Sequence, residues 1–156
     1  MNKANNNSIS SIFFDFNQVL KRSAPQTDFA PVQDQLSQQL LQNIFLNQPL
    51  IKWAKTHQAN FKFYIWSASD PDLLQLIKVL FKPIFTGLIS TRATGLQKSE
   101  VASYGQIAAQ FKLKPAEALL IDDQIENVQT AQRAGFQAIH FVNTADCLRQ
   151  LDIILA

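Results

Sequence analysis

The sequence has one cysteine, Cys147, and two histidines, His57 and His140, far apart along the chain. A lone cysteine excludes an internal disulfide and fits a reducing compartment, so a cytoplasmic location is expected. It also excludes a multi-cysteine zinc site, and two distant histidines make no histidine-rich metal site. Any metal here should be held by carboxylates. Charged residues are scarce, at 17 %, and nearly balanced, with 14 Lys+Arg against 12 Asp+Glu. No basic block stands out, so no nucleic-acid partner is expected. No apolar run reaches the roughly 18 residues of a membrane span, so no membrane partner is expected either. Met1 to Ser10 is Asn-rich and lacks an apolar stretch, which argues against a signal peptide.

What is present is a core. Hydrophobic residues make up 47 % of 156 residues, enough for one domain and too much for global disorder. Five short runs read as strands: Ser11–Phe16, Phe61–Trp66, Thr86–Ser90, Ala118–Ile121 and Ala138–Val142. They are almost continuously apolar, as suits strands covered on both faces. Between them lie segments of helical spacing. Asp70–Phe81 has Ser69 as its expected N-cap, and Ser99–Phe111 carries Val101, Ile107, Ala108 and Phe111. Gln124–Ala134 ends at Gly135, as a helix C-terminus should. Strand–helix alternation indicates βαβ units and a mainly parallel sheet. Residues 17 to 60 break the rhythm and show no obvious strand. Lys21–Pro31 reads as a loop. Asp34–Phe45 carries Leu36, Leu40, Leu41, Ile44 and Phe45 on one helical stripe, and Pro49–Thr56 forms a further short helix.

Three strand ends carry polar residues that strands do not need. They are Asp15-Phe16-Asn17 after the first, Ser67 after the second and Asp122-Asp123 after the fourth. Ligands of open α/β sheets bind beyond the carboxyl ends of the strands. If these strands are neighbours, the carboxylates converge and repel, and a hard divalent cation such as Mg²⁺ relieves the repulsion. Lys98, just before a helix, adds a cation that can neutralise a phosphoryl oxygen. Each residue also has an ordinary reading. Asp15 and Ser67 suit turns, Asp122-Asp123 suits a helix cap, and most lysines are solvated.

Taken together and in order, these motifs resemble the haloacid dehalogenase-like (HAD) hydrolases, from Ser11 to Val142. The acidic pair in Ile121-Asp122-Asp123-Gln124-Ile125-Glu126-Asn127-Val128, followed by Ala134-Gly135, is the most specific of them. The resemblance implies a three-layer, Rossmann-like α/β sandwich with a five-stranded, mainly parallel sheet in the order 3-2-1-4-5. It implies one domain over residues 1–156 with a minimal cap insertion at about 22–46. It implies a phosphomonoester phosphatase working through an aspartyl-phosphate. Asp15 would be the nucleophile. Mg²⁺ would be held by Asp15, the backbone carbonyl of Asn17 and Asp123, with Asp122 a further ligand or an orienter. Ser67 and Lys98 would bind the phosphoryl group of a phosphorylated substrate.

Two residues depart from the family pattern. Asn17 stands where the family has an acid–base aspartate, and an amide neither gives nor takes a proton at neutral pH. A slow enzyme is expected, since such help is worth about 10²–10⁴-fold. Gln18 stands where most relatives have glycine, so the turn after the first strand is expected to differ. Halide-displacing members lack the acidic pair, so Asp122-Asp123 argues against dehalogenation. A degenerate HAD-fold protein that binds a ligand or regulates a partner without turnover is the alternative. The short insertion is expected to leave the site open to water, which implies a large or externally capped substrate or closure by a second copy of the chain in a homodimer.

Overall fold

The computed structural model describes residues 8–31, 41–42 and 44–156. Its main sheet contains β1 (Ser11–Phe14), β5 (Lys62–Ser67), β6 (Phe85–Ser90), β7 (Ala118–Asp122) and β8 (Gln137–His140). All neighbours are parallel and the order is β6-β5-β1-β7-β8. This is the expected 3-2-1-4-5 order, with boundaries within two residues of those read from the apolar runs. The first strand is two residues shorter than expected, so Asp15 and Phe16 belong to the turn after it.

Helices α1 (Gln48–His57), α2 (Pro71–Leu80), α4 (Val101–Gln110), α5 (Ile125–Arg133) and α6 (Thr144–Ile154) cover the sheet, and a single turn, α3 (Thr91–Thr94), follows β6. Alternate residues of each strand face opposite sides, and the two cores divide accordingly. Ile12, Phe14, Phe63, Ile65 and Ile121 pack with Leu50, Leu74, Ile77 and Leu151 of α1, α2 and α6. Phe13, Tyr64, Trp66 and Leu120 pack with Tyr104, Ile107 and Ala131 of α4 and α5. Three layers result, because a strand buried on both faces needs helices on both. The N-cap of α2 is Asp70 and not Ser69: its carboxylate accepts from the Asp72 and Leu73 amides.

The insertion differs from expectation. Among its described residues, the span 17 to 60 contains three short strands, β2 (Lys21–Arg22), β3 (Phe29–Ala30) and β4 (Phe45–Asn47), in an antiparallel sheet of order β2-β4-β3. Lys21–Pro31 is therefore not simply a loop, and Phe45 sits in a strand rather than on a helical stripe. Leu41 is buried in a turn, and Leu36 and Leu40 lie outside the described residues. Strands of two or three residues have no period to read, and their ladder is formed by partners distant in sequence. Buried Asn47 joins this sheet to the core. Its Oδ1 accepts from the Leu50 amide at the start of α1, and its Nδ2 donates to the Val19 carbonyl at 3.0 Å and to Thr144 Oγ1 at 2.9 Å. Among the described residues no helix is long and apolar enough to cross a membrane.

Candidate active site

β1, β5 and β7 are adjacent, so the residues that follow them meet at one edge of the sheet. Asp15 follows β1 and is 7 % exposed, Ser67 ends β5 and Asp122 ends β7, both fully buried. The Asp15 amide donates to the Ile121 carbonyl at 2.9 Å, which ties the first turn to β7. One carboxylate oxygen each of Asp15, Asp122 and Asp123 lie within 4.8 Å of one another.

Lys98 is the cation among them. Its Nζ lies 2.9 Å from Asp15 Oδ1 and 2.6 Å from Asp122 Oδ2, with its side chain only 10 % exposed. It comes from a loop that is pinned in place. Trp66 Nε1 donates to the Leu96 carbonyl, the Gln97 amide donates to Ser103 Oγ, and the Tyr104 hydroxyl donates to the Lys98 carbonyl at 2.8 Å. This lysine is thus no solvated surface residue.

The two acidic neighbours differ. Asp122 is saturated: Oδ2 holds Lys98, and Oδ1 accepts from the Gln124 amide at 2.9 Å and from Asn127 Nδ2 at 3.2 Å. Asp123 is half-buried, its carbonyl meets His140 Nε2 at 2.9 Å, and no N–H group among the described residues donates to its carboxylate, which faces that of Asp15. Asp15 Oδ1 accepts from the Phe16 amide at 2.8 Å and faces Lys98, while Oδ2 accepts none.

The charge does not balance. Three carboxylates face one ammonium, so two negative charges remain when all ionise. Burial, opposed by Lys98 and reinforced by the Asp122 charge and the Asp123 carboxyl, leaves the Asp15 carboxyl raised to about 7. Oxygen donors with a surplus of negative charge fit a divalent cation such as Mg²⁺, which prefers carboxylates and carbonyls to nitrogen or sulfur.

Asn17 and Ser67 meet through a residue the sequence reading had treated only as a helix cap. Asn17 Nδ2 donates to Ser69 Oγ at 2.7 Å, and Ser67 Oγ donates to Ser69 Oγ at 3.0 Å. Ser69 in turn donates its amide to Ser67 Oγ. Asn17 Oδ1 accepts from Lys21 Nζ at 3.3 Å. The turn between them keeps its tight form, because Gln18 adopts the left-handed backbone, φ +67°, that glycine favours. The cleft above these groups is about 290 Å³ and is lined by Asp15, Asn17, Ser67, Lys98 and Asp123, together with Gln18, Thr91, Gln97, Ser99, Gln124 and Asn127. The structure thus brings together all six residues singled out from the sequence. Ser69, Asn127 and Lys21 were missed. Asn127 stood within the acidic motif, one turn along α5 and so able to face back to Asp122. Nothing local marked the other two.

No protein-family model matches the chain. Over 85 residues, 52 % of this chain and 43 % of the relative, it is 32 % identical to a sesquiterpene phosphatase of Aspergillus oryzae. Over 98 residues, 58 % of this chain and 40 % of the relative, it is 29 % identical to enolase-phosphatase E1 of Pseudomonas fluorescens. The chain thus spans less than half the length of the curated relatives it matches. Among solved structures, a predicted HAD-like family hydrolase of Porphyromonas gingivalis superposes with a TM-score of 0.65 at 18 % identity, covering 92 % of this chain and 97 % of that one. A HAD family enzyme of Bacteroides thetaiotaomicron, in complex with magnesium and inorganic phosphate, superposes with a TM-score of 0.61 at 12 % identity, covering 85 % and 93 %. The fold is that of the HAD-like hydrolases, as the sequence motifs implied.

Proposed function

We propose that this chain is a Mg²⁺-dependent phosphohydrolase that cleaves phosphomonoesters through an aspartyl-phosphate at Asp15, and that it is slow. The observation that carries this reading is the meeting of Asp15, Asp122, Asp123 and Lys98 at one sheet edge, three carboxylates around one ammonium. The Asp15 carboxylate attacks phosphorus as the alkoxide departs, and water then hydrolyses the acyl phosphate. Lys98 holds Asp15 in place and offsets charge on the phosphoryl oxygens. Ser67 turns its hydroxyl from Ser69 to donate to one of those oxygens. Asp15, Asp123 and the Asn17 carbonyl are the donors for Mg²⁺, which when bound neutralises charge on the phosphoryl group. Asp122, with both oxygens engaged, orients Lys98 and the loop after β7.

Asn17 sets the rate. It has no proton to give an alkoxide or to take from water, and its amide is already engaged by Ser69 and Lys21. Good leaving groups, which depart unprotonated, should be the better substrates. The phosphatase relatives support the reaction class, and the magnesium and phosphate of the Bacteroides enzyme support the metal and the group bound. The buried free thiol of Cys147 supports a reducing, cytoplasmic setting.

The test is turnover of an aryl phosphate with Mg²⁺ by wild type and Asp15→Asn. Turnover that the substitution abolishes upholds the proposal. The engaged Asn17 amide favours a second reading, a protein that binds a phosphorylated ligand without hydrolysing it. Phosphate binding with no wild-type turnover would decide for that one.

A further inference from the structure

Among the described residues, no large apolar side chain lines the cleft. Apart from Ala68, the described residues that line it present amides, hydroxyls and charges, with no aromatic and no large aliphatic side chain. A leaving group carried there meets the amides of Gln18, Gln97 and Gln124, none of which donates or accepts a side-chain hydrogen bond within the described residues. Those side chains offer hydrogen-bond partners to a hydrophilic alcohol.

Charge beside the cleft narrows the class. Lys98 is committed to Asp15 and Asp122. Lys21 is not so committed, and it makes no ion pair with a carboxylate among the described residues. Its Nζ lies 3.3 Å from the Oδ1 of Asn17, which lines the cleft. Its Nζ also lies 3.4 Å from Ser23 Oγ, and the backbone beneath it is fixed: the Lys21 amide donates to the Phe16 carbonyl at 2.9 Å, and the Gln18 amide donates to the Lys21 carbonyl at 2.8 Å. A carboxylate at position 17 would pair with this ammonium and cancel it. The neutral amide leaves its charge available to whatever enters beside it.

We infer that Lys21 is a specificity residue, and that the cleft takes a small hydrophilic phosphomonoester bearing a second anionic group, a carboxylate or a further phosphate, on its leaving group. The inference rests on the reading of this cleft as a phosphoryl site.

The experiment compares 2-carboxyethyl phosphate with propyl phosphate, which differ chiefly in one carboxylate. Their binding is measured by calorimetry with Mg²⁺ for wild type, Lys21→Gln, Lys21→Arg and Asn17→Asp. Wild type should bind the acid about fivefold more tightly at low salt, as a part-exposed ion pair allows. Lys21→Gln should lose that preference because the charge is gone, and Asn17→Asp because it is neutralised. Lys21→Arg should keep it. Added salt should shrink it. Equal binding of the two ligands by wild type, or a preference that survives in Lys21→Gln, would overturn the inference and leave the phosphoryl-site reading standing. Binding of neither ligand would overturn both. A preserved preference without hydrolysis of an aryl phosphate would overturn only the hydrolase reading.

Discussion

Every residue of β1 and β7 is buried, and their side chains meet helices on both faces. The strands of the insertion are two or three residues long, and β2 is only half-buried. One sheet is stabilised by the apolar area it removes from water. The other buries Phe29 and Leu46 in the same core and is tied to it by a few specific bonds, of which those of Asn47 are the most buried. The groups proposed for catalysis follow the same division. Asp15, Ser67, Asp122 and Lys98 rise from or lean on the buried sheet, whereas Lys21 and the tip of the Asn17 turn belong to the insertion side. The difference teaches that the fully buried sheet carries the groups proposed for the reaction, while the group proposed for selectivity stands on short, half-buried strands.

The largest contrast should come from core truncation. Phe13 is fully buried and stacks on Tyr64 with ring centroids 4.8 Å apart. Phe13→Ala should cost about 3–5 kcal/mol. Arg22→Ala, in the insertion, should cost about 1 kcal/mol, the worth of its placement over the Phe29 ring. Similar losses in denaturant unfolding would break the comparison. Asn47→Ala should cost about 2 kcal/mol, because it removes a helix cap and leaves buried partners unsatisfied. Hydrogen exchange would sharpen this: protection should fall in β2–β4 before it falls in β1.

Asn17→Asp should raise turnover of alkyl phosphates by about tenfold or more and that of aryl phosphates less, because only the poor leaving group needs a proton. Equal changes in steady-state kinetics would show that Asn17 limits the enzyme for another reason.

Asp15 makes the metal-free protein sensitive to pH. Its carboxyl is raised from 3.8 to about 7 in the fold, so its contribution to stability is complete below the unfolded value and is lost as pH rises through the folded one. Asp15→Asn has nothing to titrate there. Without metal, its Tm should therefore gain on wild type by a few degrees between about pH 5 and pH 7.5. Mg²⁺ should restore the wild type at the upper end. A gap that is constant with pH in thermal melts would refute this.

The smallest effect should be that of Gln18→Gly. Gln18 holds a left-handed backbone at φ +67°. Glycine relieves that strain and loses some of the gain to its greater freedom when unfolded, so a rise of about 0.5–1 kcal/mol is expected.

The five-stranded sheet and the four motifs were legible because continuous burial writes itself as apolar runs, and because the polar residues stand where those runs stop. Asp15, Ser67 and Asp122-Asp123 could be named on that basis, and Lys98 by its place before a helix. The insertion was not legible. Phe45 looked helical beside Leu41 and Ile44, but β4 owes its form to pairing with β2 and β3, which no local period records. Ser69 was read as a cap because its type suits one, yet Asp70 takes that place and Ser69 joins Asn17 to Ser67.

By itself, then, the sequence determined the parallel core, its strand order by way of the family motifs, and the set of residues at the sheet's carboxyl edge. It could do so because burial and strand ends are local properties of composition. Only the tertiary structure decided how those residues divide the work: Asp122 saturated by Lys98, Gln124 and Asn127, Asp123 uncommitted, and Lys21 beside Asn17. Distances between side chains from strands far apart in the chain exist only once the sheet has formed, and hydrogen-bond saturation depends on nothing else.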